Sequence, residues 1–168
     1  MTTVRTGLEE LMAEPRRWVG DERIGLLCNP ASVDRALTHA RTLIHQAFSG
    51  KLKALYSPQH GFFAEKQDNM IESQDMLDPA LKIPVFSLYG QSRVPSERMF
   101  APIDVLLVDL QDVGTRVYTF IYTLSYCLEA VSPGLNLTQK QGEAGAEGVL
   151  QVVVSASRDK AVKGRVRL

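Results

Sequence analysis

Val105-Leu106-Leu107-Val108-Asp109-Leu110-Gln111-Asp112-Val113-Gly114-Thr115-Arg116 begins as an apolar run of strand type and breaks into polar residues and glycine that suit no core position. A second block, Leu52-Lys53-Ala54-Leu55-Tyr56-Ser57-Pro58-Gln59-His60-Gly61-Phe62, does the same. In an open parallel α/β sheet, ligands bind where strands stop at their carboxyl ends. Two strand ends rich in Gln, His, Asp and Arg therefore read as two walls of a site, and they are too elaborate for ordinary turns.

Working outward, Ile24-Gly25-Leu26-Leu27-Cys28 is a continuous apolar run that suits a strand buried on both faces. Strands are expected at 24–29, 52–57, 84–89 and 105–110. Apolar residues at 36/37, 40, 43/44 and 47/48 predict a helix over 34–48, closed by Gly50. Val117, Phe120, Ile121, Leu124, Leu128 and Val131 recur at helical spacing and predict a helix over 116–131. Thr6 and Glu9 have the spacing of a capping box, with Pro15 ending the helix that follows. The polar stretch from Ala64 to Asp78 lacks periodicity and reads as a long loop. This alternation specifies an α/β fold with a parallel sheet covered by helices on both faces.

The chain has 168 residues, 45% hydrophobic and 23% charged, enough for one domain with a proper core. Nineteen basic and nineteen acidic residues cancel, leaving no electrostatic case for a nucleic-acid or anionic-membrane partner. No apolar run approaches the ~20 residues of a membrane span. Met1 to Trp18 lacks the uninterrupted core of a signal peptide, which points to the cytoplasm. Cys28 and Cys127 read as free buried thiols. Cys28-Asn29-Pro30-Ala31-Ser32 carries no glycine fingerprint, so no nucleotide cofactor is expected, and no metal constellation is present. The oligomeric state is left open.

Four segments, in order, carry a family resemblance: Gly25 to Val33, Ser57-Pro58-Gln59-His60-Gly61, Pro84 to Gly90, and Asp109 to Thr119. Together they resemble the NamZ-type exo-β-N-acetylmuramidases. The resemblance covers residues 3–131 and implies a Rossmann-like, open, mainly parallel N-terminal domain that forms its cleft with a second, C-terminal domain. It also implies a glycoside hydrolase that removes N-acetylmuramic acid from peptidoglycan fragments, in cell wall recycling. Beyond Val131 the sequence departs from the family, and 132–168 reads as a divergent, weakly structured tail in which 148–156 has the pattern of one more strand. The chain is therefore expected to be a truncated or frameshifted product that carries the first domain alone. A second departure is Gln59, where many members have a glutamate suited to be the catalytic acid.

Glycoside hydrolysis generally needs one carboxyl group to assist departure and another group to attack or to activate water. The two walls supply Glu65, Asp109 and Asp112. Glu65 is either a loop group able to lean over a cleft or a solvated charge. Asp109 lies in register with a buried strand, where carboxylates are seldom tolerated unpaired; Arg116 or the following helix is its expected partner. Asp112 is balanced between chemistry and loop capping. Arg116, poorly placed for the helix dipole, suits an anion such as the lactyl carboxylate of muramic acid. His60 either orients Gln59, binds a hydroxyl or carries a proton, or is held by backbone alone. The candidate set is thus Glu65, Asp112 and His60 for catalysis, with Gln59, Asp109, Gln111, Arg116 and Asn29 for a peptidoglycan-derived saccharide. His39 and His45 read as surface residues, Tyr118 and Tyr122 as core, and Arg93 with Glu97 as a surface pair. The alternative to a hydrolase is a module that binds a sugar or sugar phosphate without cleaving it, which Gln59 favours.

Overall fold

The computed structural model describes residues 5–66, 71–90, 92–110, 119–131, 152–154 and 162–164. Its elements are α1 (Gly7–Ala13), α2 (Pro15–Trp18), β1 (Ile24–Cys28), α3 (Ala40–Ala47), β2 (Leu52–Ser57), β3 (Met76–Leu77), β4 (Pro84–Ser87), α4 (Glu97–Phe100), β5 (Val105–Asp109), α5 (Phe120–Val131), β6 (Val152–Val154) and β7 (Val162–Gly164). One sheet runs β3-β4-β2-β1-β5-β6-β7. The pairs β4–β2, β2–β1, β1–β5 and β5–β6 are parallel, and β3 and β7 add antiparallel edges.

Side-chain alternation along the central strands divides the core in two. Leu26, Cys28, Leu55, Val105 and Leu107 face one layer with Leu8 and Leu11 of α1 and Ile44 of α3. Leu27, Ala54, Tyr56, Leu106 and Val108 face the other, with Cys127 of α5 and, partly buried, Met99 and Phe100 of α4. The fold is thus α/β, with a mainly parallel sheet and helices on both faces. Both cysteines are buried and free. Gly25 is needed for packing: a Cβ there would lie 2.6 Å from Ile103 Cδ1 and 2.7 Å from the Tyr56 ring. That ring passes over the strand so that its hydroxyl donates to the Met99 carbonyl at 2.6 Å.

The capping box forms as expected: Glu9 N–H donates to Thr6 Oγ1 at 3.2 Å, and Thr6 N–H to the Glu9 carboxylate at 2.9 Å. Pro15, expected as a stop, instead begins α2, where its missing N–H is no loss. The helix expected over 34–48 begins only at Ala40. Asp34 Oδ1 accepts from the amides of Ala36 (2.9 Å) and Thr38 (2.8 Å), which closes a tight loop in place of a first helical turn. Leu37 sits at the tip of that loop with φ 60° and lies exposed.

On α5 the buried face is Phe120, Thr123 and Cys127, with Leu124 beside them. Ile121 (71% exposed) and Leu128 (39%), expected in the buried stripe, lie on the outer face. Positions 121 and 128 share a face with each other but not with 120 and 127, because each step along a helix turns the side chain by about 100°. The expected first turn of this helix, 116–118, lies outside the described residues.

The loop expected over 64–78 contains β3, which pairs along the outer edge of β4. Within it Asp78 is fully buried, ion-paired to Arg41, and accepts from the amides of Ala80 and Leu81. Two short strands, β6 and β7, fall within the span read as a weakly structured tail, and the remainder of 132–168 lies outside the described residues. Among the described residues, no helix is long and apolar enough to cross a membrane.

Candidate functional site at the carboxyl edge of the sheet

The connection from β1 leads to β2 on one side, while β5 pairs with β1 on the other. The direction in which strands are added to the sheet thus reverses between β1 and β5, the crevice where open α/β sheets bind ligands. Asn29 follows β1 and Asp109 ends β5, and both are nearly buried (6% and 5% exposed). Ser32 joins them: its Oγ accepts from Asn29 N–H at 3.0 Å, lies 3.1 Å from Asn29 Oδ1, and donates to the Asp109 carbonyl. Asn29 Oδ1 also accepts from Ala31 N–H at 3.2 Å.

The Asn29 carbonyl accepts from His39 Nε2–H at 3.0 Å, while His39 Nδ1 accepts from Arg41 N–H at 3.2 Å to cap α3. These bonds specify the neutral imidazole, and burial pushes its pKa down in the same direction. His39, expected at the surface, is half-buried because the helix starts there. His45 is also partly buried rather than superficial. Burial and then the Asp109 charge push the neighbouring Cys28 thiol well up, so it is a packing group and no nucleophile.

The second wall is the turn after β2. Phe62 anchors it in the core, and Arg41 of α3 stacks over the rings of Phe62 and Phe63 at 5.4 and 5.3 Å. From the opposite side, Thr119 at the start of α5 donates through Oγ1 to Gln59 Oε1 at 2.8 Å. His60 is held at φ 80°, a conformation rare for a non-glycine residue, and Gly61 follows at φ 80°. His60 Nδ1 donates to the Lys66 carbonyl at 2.9 Å, which turns the Nε2 side of the ring away from that bond. Glu65 is exposed; its carboxylate accepts from Phe63 N–H at 3.1 Å and folds over Gly61, where a Cβ would strike it.

Gln59, His60 and Glu65 thus share one turn, and Asn29 and Asp109 share the β1–β5 crevice. The two walls do not leave neighbouring strands, because β1 lies between β2 and β5, and adjacent strands stand ~4.8 Å apart. Gln111, Asp112 and Arg116 lie outside the described residues. Ser32, which the sequence marks as part of the turn after β1, was outside the candidate site set. Thr119 was likewise outside the candidate set, although it closes the fourth family motif.

A concavity of about 270 Å³ adjoins Thr119, with Leu88, Tyr89 and Arg93 on one side and Tyr122 and Tyr126 on the other. Tyr122, expected in the core, is 62% exposed and lines it. Arg93 bonds to the Tyr89 hydroxyl rather than to Glu97.

With this geometry in place, comparison with known proteins is specific. The family described as "Exo-beta-N-acetylmuramidase NamZ, N-terminal" matches residues 24–138. The chain belongs to this family. The peptidoglycan β-N-acetylmuramidase NamZ of Bacillus subtilis is 38% identical over 127 residues, which are 76% of this chain and 30% of that protein. A DUF1343 family protein of Bacteroides fragilis of known crystal structure is similar at a TM-score of 0.70 and 31% identity, over 89% of this chain and 33% of that one. A second protein of that family and organism, at TM-score 0.62 and 22% identity, shares the fold. The chain therefore spans about a third of the length of these relatives.

Proposed function

We propose that this chain forms the sugar-binding and acid–base wall of a glycoside hydrolase of exo-β-N-acetylmuramidase type, acting on peptidoglycan-derived muramic-acid saccharides in the cytoplasm. Family membership supports the reaction class. The single structural observation that carries the reading is the His60 turn. Backbone strain persists where surroundings over-determine it, typically at functional sites, and here it presents an imidazole edge at the carboxyl end of a buried strand. In this proposal His60 Nε2 takes or relays a proton, Glu65 and Asp112 supply the two carboxyl groups, and Gln59, Asn29, Asp109, Gln111 and Arg116 position the sugar. Glu65 is exposed, whereas an acid kept protonated near neutral pH needs an apolar surround. A second wall closing over Glu65 would provide one.

Gln59 supports a second reading. Its amide cannot exchange protons as a carboxyl group does, and its oxygen is engaged by Thr119, as suits a module that binds a sugar without cleaving it. Adding para-nitrophenyl N-acetylmuramide while following NMR shifts and nitrophenol release separates the two. Release lost in Glu65→Gln or Asp112→Asn assigns chemistry to these residues. Slow release supports the hydrolase. Binding with no release, even where ~1,000-fold less than the rate of the Bacillus subtilis relative would be detected, supports the module, and no binding sinks both readings.

A further inference from the structure

We propose that the concavity between the β4 loop and α5 is a recognition pocket for a carboxylate-bearing sugar ring, with Arg93 as its specificity-determining residue. The inference rests on the saccharide reading above and adds to it residues that take no part in the acid–base chemistry.

The pocket volume of about 270 Å³ lies at the lower edge of small-molecule sites, roughly 300–1,000 Å³. It therefore suits one ring rather than an oligosaccharide. Three of its lining residues are tyrosines: Tyr89 (6% exposed), Tyr122 (62% exposed) and Tyr126, which is partly buried. Tyr122 and Tyr126 stand one helical turn apart and so present their rings on one side of α5. Such rings give apolar area for the C–H face of a pyranose together with hydroxyls for its polar rim.

Arg93 supplies the charge. Its guanidinium lies 4.8 Å from the Tyr89 ring centroid, and one nitrogen donates to the Tyr89 hydroxyl at 3.2 Å. Among the described residues no carboxylate pairs with it. The stacking fixes the plane of the fork and leaves its remaining N–H groups for a planar anion, the geometry in which Arg binds carboxylate bidentately. A cation held by an aromatic face, with no acidic partner among the described residues and lining a sugar-sized cavity, points to a carboxylate on the ligand. The lactyl ether of a muramic acid residue carries one and N-acetylglucosamine does not. Thr119 also lines this pocket and bonds to Gln59, so a ring seated here lies beside the His60 turn.

The test titrates the 168-residue chain and its Arg93→Gln and Arg93→Lys variants with the methyl β-glycosides of N-acetylmuramic acid and N-acetylglucosamine, monitored by NMR. Wild type is expected to bind the muramic acid glycoside at least tenfold more tightly, with ring resonances of Tyr89, Tyr122 and Tyr126 shifting. Arg93→Gln should abolish that preference and leave the N-acetylglucosamine affinity unchanged, while Arg93→Lys restores part of it. Arg93 is exposed, so the variants should fold, which their amide spectra verify. A preference that survives Arg93→Gln overturns the pocket assignment and leaves the saccharide reading standing. Equal binding of both glycosides by wild type overturns the carboxylate role. Binding of neither overturns the pocket and the saccharide reading together.

Discussion

His60 and Gly61 share a positive φ, but of the two only His60 carries a side chain that is strained there. If the imidazole is functional, His60→Gly should raise stability by up to about 1 kcal/mol, since glycine adopts φ 80° freely. The same change should eliminate saccharide hydrolysis or weaken binding. Chemical denaturation and titration on one variant read both, and a variant that is less stable yet binds unchanged would show the histidine to be structural. Gly61→Ala should go the other way. The new Cβ meets the Glu65 carboxylate as well as an unfavourable backbone, so a loss of about 1 kcal/mol is expected with Glu65 displaced from its bond to Phe63 N–H.

Among the elements, α3 shows how a single cap ties the sheet edge to pH. His39 caps the helix through an unprotonated Nδ1 and holds the Asn29 carbonyl through Nε2–H, and burial lowers its pKa below the ordinary value. The unfolded chain then binds this proton more readily than the folded one. Stability is complete above the unfolded pKa of about 6.5 and falls as pH drops below it toward the lower folded value. The loss should be about 1 kcal/mol, the worth of a helix cap. Asparagine is a good cap that does not titrate, so the difference between wild type and His39→Asn in urea midpoints from pH 7.5 to 5 isolates the contribution of His39. Parallel curves would show that His39 does not titrate in this range.

At the scale of the molecule, the chain spans about a third of the length of its relatives, and its carboxyl edge exposes Glu65 rather than enclosing it. Misplacing reacting groups by about 1 Å costs on the order of 100-fold in rate. The purified chain is therefore expected to release nitrophenol from para-nitrophenyl N-acetylmuramide at least ~100-fold more slowly than the Bacillus subtilis relative under identical conditions. Comparable rates would place a complete site on this domain alone.

Strands expected at 24–29, 52–57, 84–89 and 105–110 form at 24–28, 52–57, 84–87 and 105–109; β1 and β5 are buried at every position, which is why their runs are almost wholly apolar. The capping box and the turn chemistry after β2 were legible too, since both are set within a few residues. The family resemblance read over 3–131 from four motifs overlaps the match over 24–138, which runs a few residues past Val131. What the linear pattern did not contain was competition between neighbours. Asp34 captured the amides that would have begun a longer α3, and Ile121 and Leu128 turned outward because the sheet claimed the face of Phe120 and Cys127. Strand order lay equally beyond it: only tertiary pairing put β1 between the two motif strands and made Ser32 the link from Asn29 to Asp109. Thr119 reaching Gln59 and Arg93 settling on Tyr89 depend on how loops from different strands meet at one edge. Local chemistry determines which elements form, whereas the contacts that assemble a site join residues far apart in the chain and exist only once the sheet has closed.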